Sequence, residues 1–147
     1  MKLHTTSEVI SFTKELENES AKFYEDLCPQ FDKDKDIFLS FVKENRKNIV
    51  QVEMAYYGVI TDALEGCFAF DVDTDEYTIE TGLVEKASYP DVLNRAIEME
   101  EKIIQFYTDA AEQSKSLMAD IPRAFSLVAK KRSARLAQLK SLAGKGG

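Results

Sequence analysis

Much of what this chain could be is excluded by what it lacks. No apolar run approaches 18 residues, so nothing reads as a bilayer-spanning helix. The opening MKLHTTSEV has no apolar stretch of the kind a secretion signal needs. The two cysteines, Cys28 and Cys67, lie 39 positions apart and form neither a CxxC nor a zinc pattern. They read as reduced thiols of a cytoplasmic protein. The single histidine, His4, precedes the first helical pattern and reads as part of a free end. No Gly-rich phosphate loop or nucleophile elbow occurs. DVDTDE at 71–76 invites a calcium reading, but a loop from Asp71 has Glu76 where Gly is needed and Gly82 where Glu is needed. DKDKD at 32–36 fails in the same way, with Ile37 and Lys43. Both read as solvated turns or caps. A net charge of −7 argues against nucleic acid or an anionic membrane as the main partner.

What is present is ordinary in bulk, 44% apolar and 31% charged over 147 residues, and reads as one domain. Apolar positions recur at helical spacing in four stretches. The first helix runs over about 5–28, opened by a Thr5/Glu8 capping box and stopped by Pro29. The second runs over about 34–57, capped by Asp34 or Asp36, or with a kink as far as Glu65. The third runs over about 90–115, with Pro90 in its first turn. The fourth runs over about 121–142, with Asp120 as cap and Gly144 as its end. Short links make each pair an antiparallel hairpin. A segment over about 58–88 is long enough to cross the whole bundle. The predicted fold is therefore all-α: an antiparallel four-helix bundle of two hairpins joined by one long crossover, which is the ferritin-like topology.

The two hairpins share a phrase. ELENESAKFYEDL at 15–27 recurs as EMEEKIIQFYTDA at 98–110, so Glu17 and Tyr24 reappear as Glu100 and Tyr107, 83 positions on. These stretches resemble the first and third helices of rubrerythrin-type proteins of the ferritin-like superfamily, where a Glu is followed seven residues later by an aromatic, often Tyr. The resemblance implies that Glu17 and Glu100 stand at metal-ligating positions of a di-iron centre used for peroxide reduction or iron oxidation. It also makes Tyr24 and Tyr107 candidates to hydrogen-bond at the edge of that site. The four-cysteine rubredoxin module of full rubrerythrins is missing, so an electron donor would be another protein.

The family site further needs Glu-x-x-His on the second and fourth helices, a spacing that projects both side chains from one face. Aligning the apolar stripes puts Asn45 and Asn48, and Arg132 and Arg135, in those slots. None is a family ligand; the di-iron ligand set is degenerate. A buried Glu17 or Glu100 needs a positive partner, and a guanidinium offers five donors in a planar fork matched to a carboxylate. The expectation is a polar core of Glu17, Asn45, Asn48, Glu100, Arg132 and Arg135, with two guanidiniums standing in for two metal ions and no cofactor. The chain then serves as a binding or interaction module. The alternative is a carboxylate-bound iron or manganese oxidoreductase, peroxidase or ferroxidase-like, using Glu17 and Glu100 with Glu44 or Glu53.

The crossover carries Phe68, Phe70, Tyr77, Ile79, Leu83 and Val84. FAFDV and EYTIE read as extended segments that pack on the bundle or meet a second subunit together with Tyr56 and Tyr57. The expected assembly is a homodimer. The basic fourth helix opposes an acidic crossover containing Asp62, Glu65, Asp71, Asp73, Asp75 and Glu76, a polarity able to steer assembly.

Overall fold

The first helix starts where its capping signal stands. In the computed structural model, which describes residues 1–59, 68–82, 87–117 and 119–145, the Thr5 hydroxyl accepts from the Glu8 backbone N–H at 3.2 Å. The Glu8 carboxylate accepts in return from the Thr5 backbone N–H at 3.0 Å. Helix α1 then spans Thr6–Leu27 and buries Val9, Leu16, Phe23, Tyr24 and Leu27 along one face. A 3-10 turn at Asp32–Asp34 leads into α2, Lys35–Val59. The Asp34 carboxylate accepts from the Tyr89 hydroxyl, which ties this link to the start of the third helix.

Helix α3 spans Tyr89–Gln113, with a capping box between Ser88 and Asp91 and Pro90 in its first turn. Helix α4 spans Asp120–Lys145, so Asp120 is its first residue and not its cap. Gly144 does not end it. The backbone stays helical past that residue, where a Gly costs only about 1 kcal/mol relative to Ala. The closest helix pairs are α1 with α2 and α3 with α4, and α2 packs on α4 to join the hairpins. The α2–α4 register is antiparallel. Arg135 reaches the Phe41 carbonyl, Arg132 reaches Asn45 and Lys131 reaches Gln51, at 3.2, 3.3 and 2.9 Å. Among the described residues the molecule is thus an all-α bundle of four helices with one short two-stranded ladder. Strand β1, Lys2–Leu3, pairs antiparallel with β2, Val72–Asp73, in register Lys2 with Asp73 and Leu3 with Val72.

That ladder corrects two expectations. The N-terminal end is not free at His4, because the His4 carbonyl accepts from the Phe70 N–H at 3.2 Å and its ring Nδ1 lies 3.2 Å from the Phe70 carbonyl oxygen. Burial of Leu3 anchors it. Among the described residues of the crossover, strand pairing is confined to Val72–Asp73; Thr74–Tyr77 is a 3-10 turn capped by the Asp73 carboxylate. Phe70 and Tyr77 are buried within the chain, Ile79 is half-buried and Phe68 is exposed. Most of the crossover's described apolar surface is therefore covered without a second subunit. The Cys28 thiol is buried, free and donates to the Tyr24 carbonyl at 3.4 Å, and burial pushes its pKa up. The extension of the second helix to Glu65, with Asp62, Cys67, Leu83 and Val84, lies outside the described residues. Among the described residues no helix is long and apolar enough to cross a membrane.

Candidate functional site

Halfway along the bundle the apolar core gives way to a layer of polar side chains drawn from all four helices. Helix α1 supplies Glu17, Ser20 and Tyr24, α2 supplies Asn45 and Asn48, α3 supplies Glu100 and Tyr107, and α4 supplies Arg132 and Arg135. All nine are buried. The helical repeat explains how they meet. Glu17, Ser20 and Tyr24 lie three and four apart and so share the face that carries the apolar stripe, as do Asn45 with Asn48 and Arg132 with Arg135.

Arg132 is the hub. Its Nη2 donates to Glu17 Oε2 at 2.6 Å and its Nε to Glu17 Oε1 at 3.2 Å. Its Nη1 donates to the two oxygens of Glu100 at 2.8 and 2.6 Å. The remaining donors reach Ser20 Oγ at 3.5 Å and Asn45 Oδ1 at 3.3 Å. All five guanidinium N–H groups thus have an acceptor.

The carboxylates are equally engaged. Glu17 Oε1 also accepts from the Tyr107 hydroxyl at 2.6 Å and from Asn48 Nδ2 at 3.4 Å. Glu100 Oε1 also accepts from the Tyr24 hydroxyl at 2.7 Å and from Arg135 Nη1 at 3.2 Å. The two copies of the repeated phrase therefore serve each other: the tyrosine of each hairpin holds the glutamate of the other.

The charges follow this geometry. Burial would push the Glu100 carboxyl up, but Arg132 and Arg135 outweigh it and hold it below its ordinary value. Burial would release the Arg132 proton, but Glu100 and Glu17 outweigh it and hold the guanidinium charged. Burial, and then the neighbouring carboxylates, push the Tyr24 and Tyr107 phenols well above their ordinary value. Both tyrosines are therefore neutral donors at physiological pH.

These residues do not fit a metal pair. Tyr, Asn and Arg donors make four hydrogen bonds to Glu17 and four to Glu100, three of each four at Oε1 and one at Oε2, so neither carboxylate has an oxygen free of donors. The facing slots on α2 and α4 hold two amides and two cations. Among the described residues, no group of three or more His, Cys, Asp or Glu comes together as a metal site. Glu44 and Glu53 do not join the two core acids. Glu44 is partly exposed and takes Arg135 Nη2 at 2.9 Å, and Glu53 pairs with Lys14 of α1 at 3.7 Å. His4 lies at the β1–β2 ladder.

The two arginines do not share the central place. Arg132 alone spans both carboxylates, while Arg135 touches Glu100 and leads outward to Glu44 and the Phe41 carbonyl. Ser20 is the member of this layer that the expected polar core leaves out. Its position three residues after Glu17 was the available signal. No protein-family model, curated protein or solved structure matches this chain.

Proposed function

We propose that this chain is a rubrerythrin-like bundle of ferritin-like topology in which the Arg132 guanidinium takes the position of the di-iron centre, and that it acts as a binding or interaction module without redox turnover in that layer. The observation that carries this is Arg132 lying between Glu17 and Glu100 with every donor engaged. A permanent organic cation neutralises the two acids that the repeat places in the core. It is covalently fixed, needs no loading, and offers no open coordination position for peroxide or oxygen.

Two measurements test this reading. Protein made in iron- and manganese-supplemented medium should carry far less than one metal ion per chain, and its thermal midpoint should not move on adding Fe²⁺ or Mn²⁺. Near-stoichiometric metal with peroxide turnover would favour the carboxylate-bound oxidoreductase instead. The positional correspondence is tested by rebuilding Glu-x-x-His on α2 and α4 with Asn45→Glu, Asn48→His, Arg132→Glu and Arg135→His. The folded variant should bind Co²⁺ with the visible spectrum of a carboxylate–histidine site. A folded variant that binds none would remove the ferritin-like assignment.

A further inference from the structure

Apart from Met1 and Phe68 near the β1–β2 ladder, the exposed large apolar side chains among the described residues lie on α2 and α4. Leu39, Val50, Met54 and Tyr57 of α2 are 38, 53, 68 and 64% exposed, and Leu127 of α4 is 41% exposed. Val50, Met54 and Tyr57 stand at i, i+4 and i+7, so they form one stripe on the side of α2 opposite Phe41, Asn45, Asn48 and Val52. Lys131 bonds to Gln51 across the antiparallel α2–α4 contact, so Leu127, one turn earlier, falls beside the level of Met54. Single exposed apolar residues need no explanation, whereas a stripe at helical period on adjoining helices marks an interaction surface.

The charges along this face select what covers it. Toward the start of α2 the stripe continues into exposed Lys43, Arg46 and Lys47. Of the acids on the same helix, Glu44 pairs with Arg135 and Glu53 with Lys14, while Asp36 stays exposed in the first turn; Arg46 faces Glu25 of α1 at 3.8 Å, so Lys43 and Lys47 carry most of the uncompensated positive charge. A positive face on a chain of net charge −7 is a local feature, not a consequence of composition. A second copy docking on a twofold axis would bring this patch against itself. A parallel pairing sets its basic half against the other basic half, and an antiparallel one sets basic against apolar. Neither is complementary.

We propose that the α2 face docks an amphipathic helix of an acidic partner protein, its apolar stripe on Val50, Met54 and Tyr57 and its carboxylates on Lys43, Arg46 and Lys47. The inference rests on the reading of the bundle as an interaction module and is independent of the arginine layer.

The test uses the full chain and two synthetic amphipathic peptides of about 20 residues, which as helices are about 30 Å long. Both carry leucines at i, i+4 and i+7. One is flanked by glutamates and the other by lysines. In fluorescence anisotropy titrations the glutamate peptide should bind at least about tenfold more tightly than the lysine peptide, and less tightly as salt rises from about 50 mM to about 0.3 M. Met54→Ser with Tyr57→Ser should weaken its binding at least about tenfold. Equal binding of both peptides, binding of neither, or binding unchanged in the double variant overturns the proposal. So does a concentration-dependent dimer in sedimentation that the double variant abolishes, since the occupant is then a second copy. The double variant should keep the parent's melting temperature and metal content, so failure here leaves the reading of the arginine layer standing.

Discussion

Arg132 and Arg135 stand one turn apart on α4 and both enter the bundle, yet they live in different chemistry. Arg132 lies between two buried carboxylates with every donor engaged. Arg135 shares Glu100, sends Nη2 to partly exposed Glu44 and to the Phe41 carbonyl, and leaves its buried Nε without a partner. Its guanidinium lies against the Phe41 ring, 4.6 Å from the centroid, an additional attraction for a cation. The difference teaches that burial of an arginine is not itself the structural device. The device is the closure of a charge set, and Arg132 closes it while Arg135 links it to the surface.

The sharpest way to break the comparison is to remove the hub. Arg132→Met leaves Glu17 buried with no cation and Glu100 with Arg135 alone, and should cost about 3–5 kcal/mol. At this chain length that lowers the melting midpoint by about 10 °C in a thermal denaturation. Combining it with Glu17→Leu and Glu100→Leu should recover part of the loss, because no carboxylate is then buried without its cation, while Tyr24, Tyr107 and Arg135 each lose an acceptor. A triple variant no more stable than the single one would show that the layer stabilises in its own right.

Acid should act on the same layer more gently. Glu100 is held below its ordinary carboxyl value in the folded chain, against burial, by Arg132 and Arg135. A group lowered in the folded state contributes stability that is complete above its unfolded value and is lost as pH falls through the folded one. Urea midpoints should therefore decline as pH drops below the ordinary value of 4.5, and Glu100→Gln should flatten that decline while lowering the plateau above it. The raised value of Arg132 has the opposite sense, stability present below its unfolded value and lost only in strong alkali.

Between hub and rim stand the two tyrosines. Tyr24→Phe and Tyr107→Phe each remove one hydroxyl donor to a buried carboxylate, at 2.7 and 2.6 Å. Each should cost about 1.5–3 kcal/mol in chemical denaturation. The two losses should agree closely, since the hairpins repeat. Unequal losses would show that the pseudo-symmetry of the sequence does not extend to the energetics.

How much of this could be read beforehand depended on whether a signal was local. The helices follow from caps and periodicity, and Glu17 and Glu100 stand out because the chain writes their surroundings twice. Asn45, Asn48, Arg132 and Arg135 are picked out by aligning the apolar stripes with the Glu-x-x-His slots that the family resemblance implies. The cross-pairing of Tyr24 with Glu100 and of Tyr107 with Glu17 was not legible, because it depends on how far apart α1 and α3 stand. The unequal roles of the arginines were missed for a geometric reason. Positions 132 and 135 differ by about 4.5 Å along the axis, so one guanidinium lies between Glu17 and Glu100 while the other reaches Glu100 alone. Pairing of β1 with β2 escaped notice because two-residue strands carry no period to detect.

The rim supplies the smallest effect and the finest test of the comparison. Arg135→Met removes one of four hydrogen bonds to Glu100 but also removes a buried Nε that has no acceptor. The net loss should be about 1–2 kcal/mol, well under that of Arg132→Met. Glu44→Gln should cost less than about 1 kcal/mol, since Glu44 is partly solvated and its attraction to Arg135 is screened. In a double-mutant cycle between Glu44 and Arg135 the coupling should shrink as salt is added, whereas the coupling between Glu17 and Arg132, buried away from solvent, should hardly change. Equal salt dependence in the two cycles would mean that water reaches the hub as freely as the rim, and the distinction between a closed layer and its outlet would be lost.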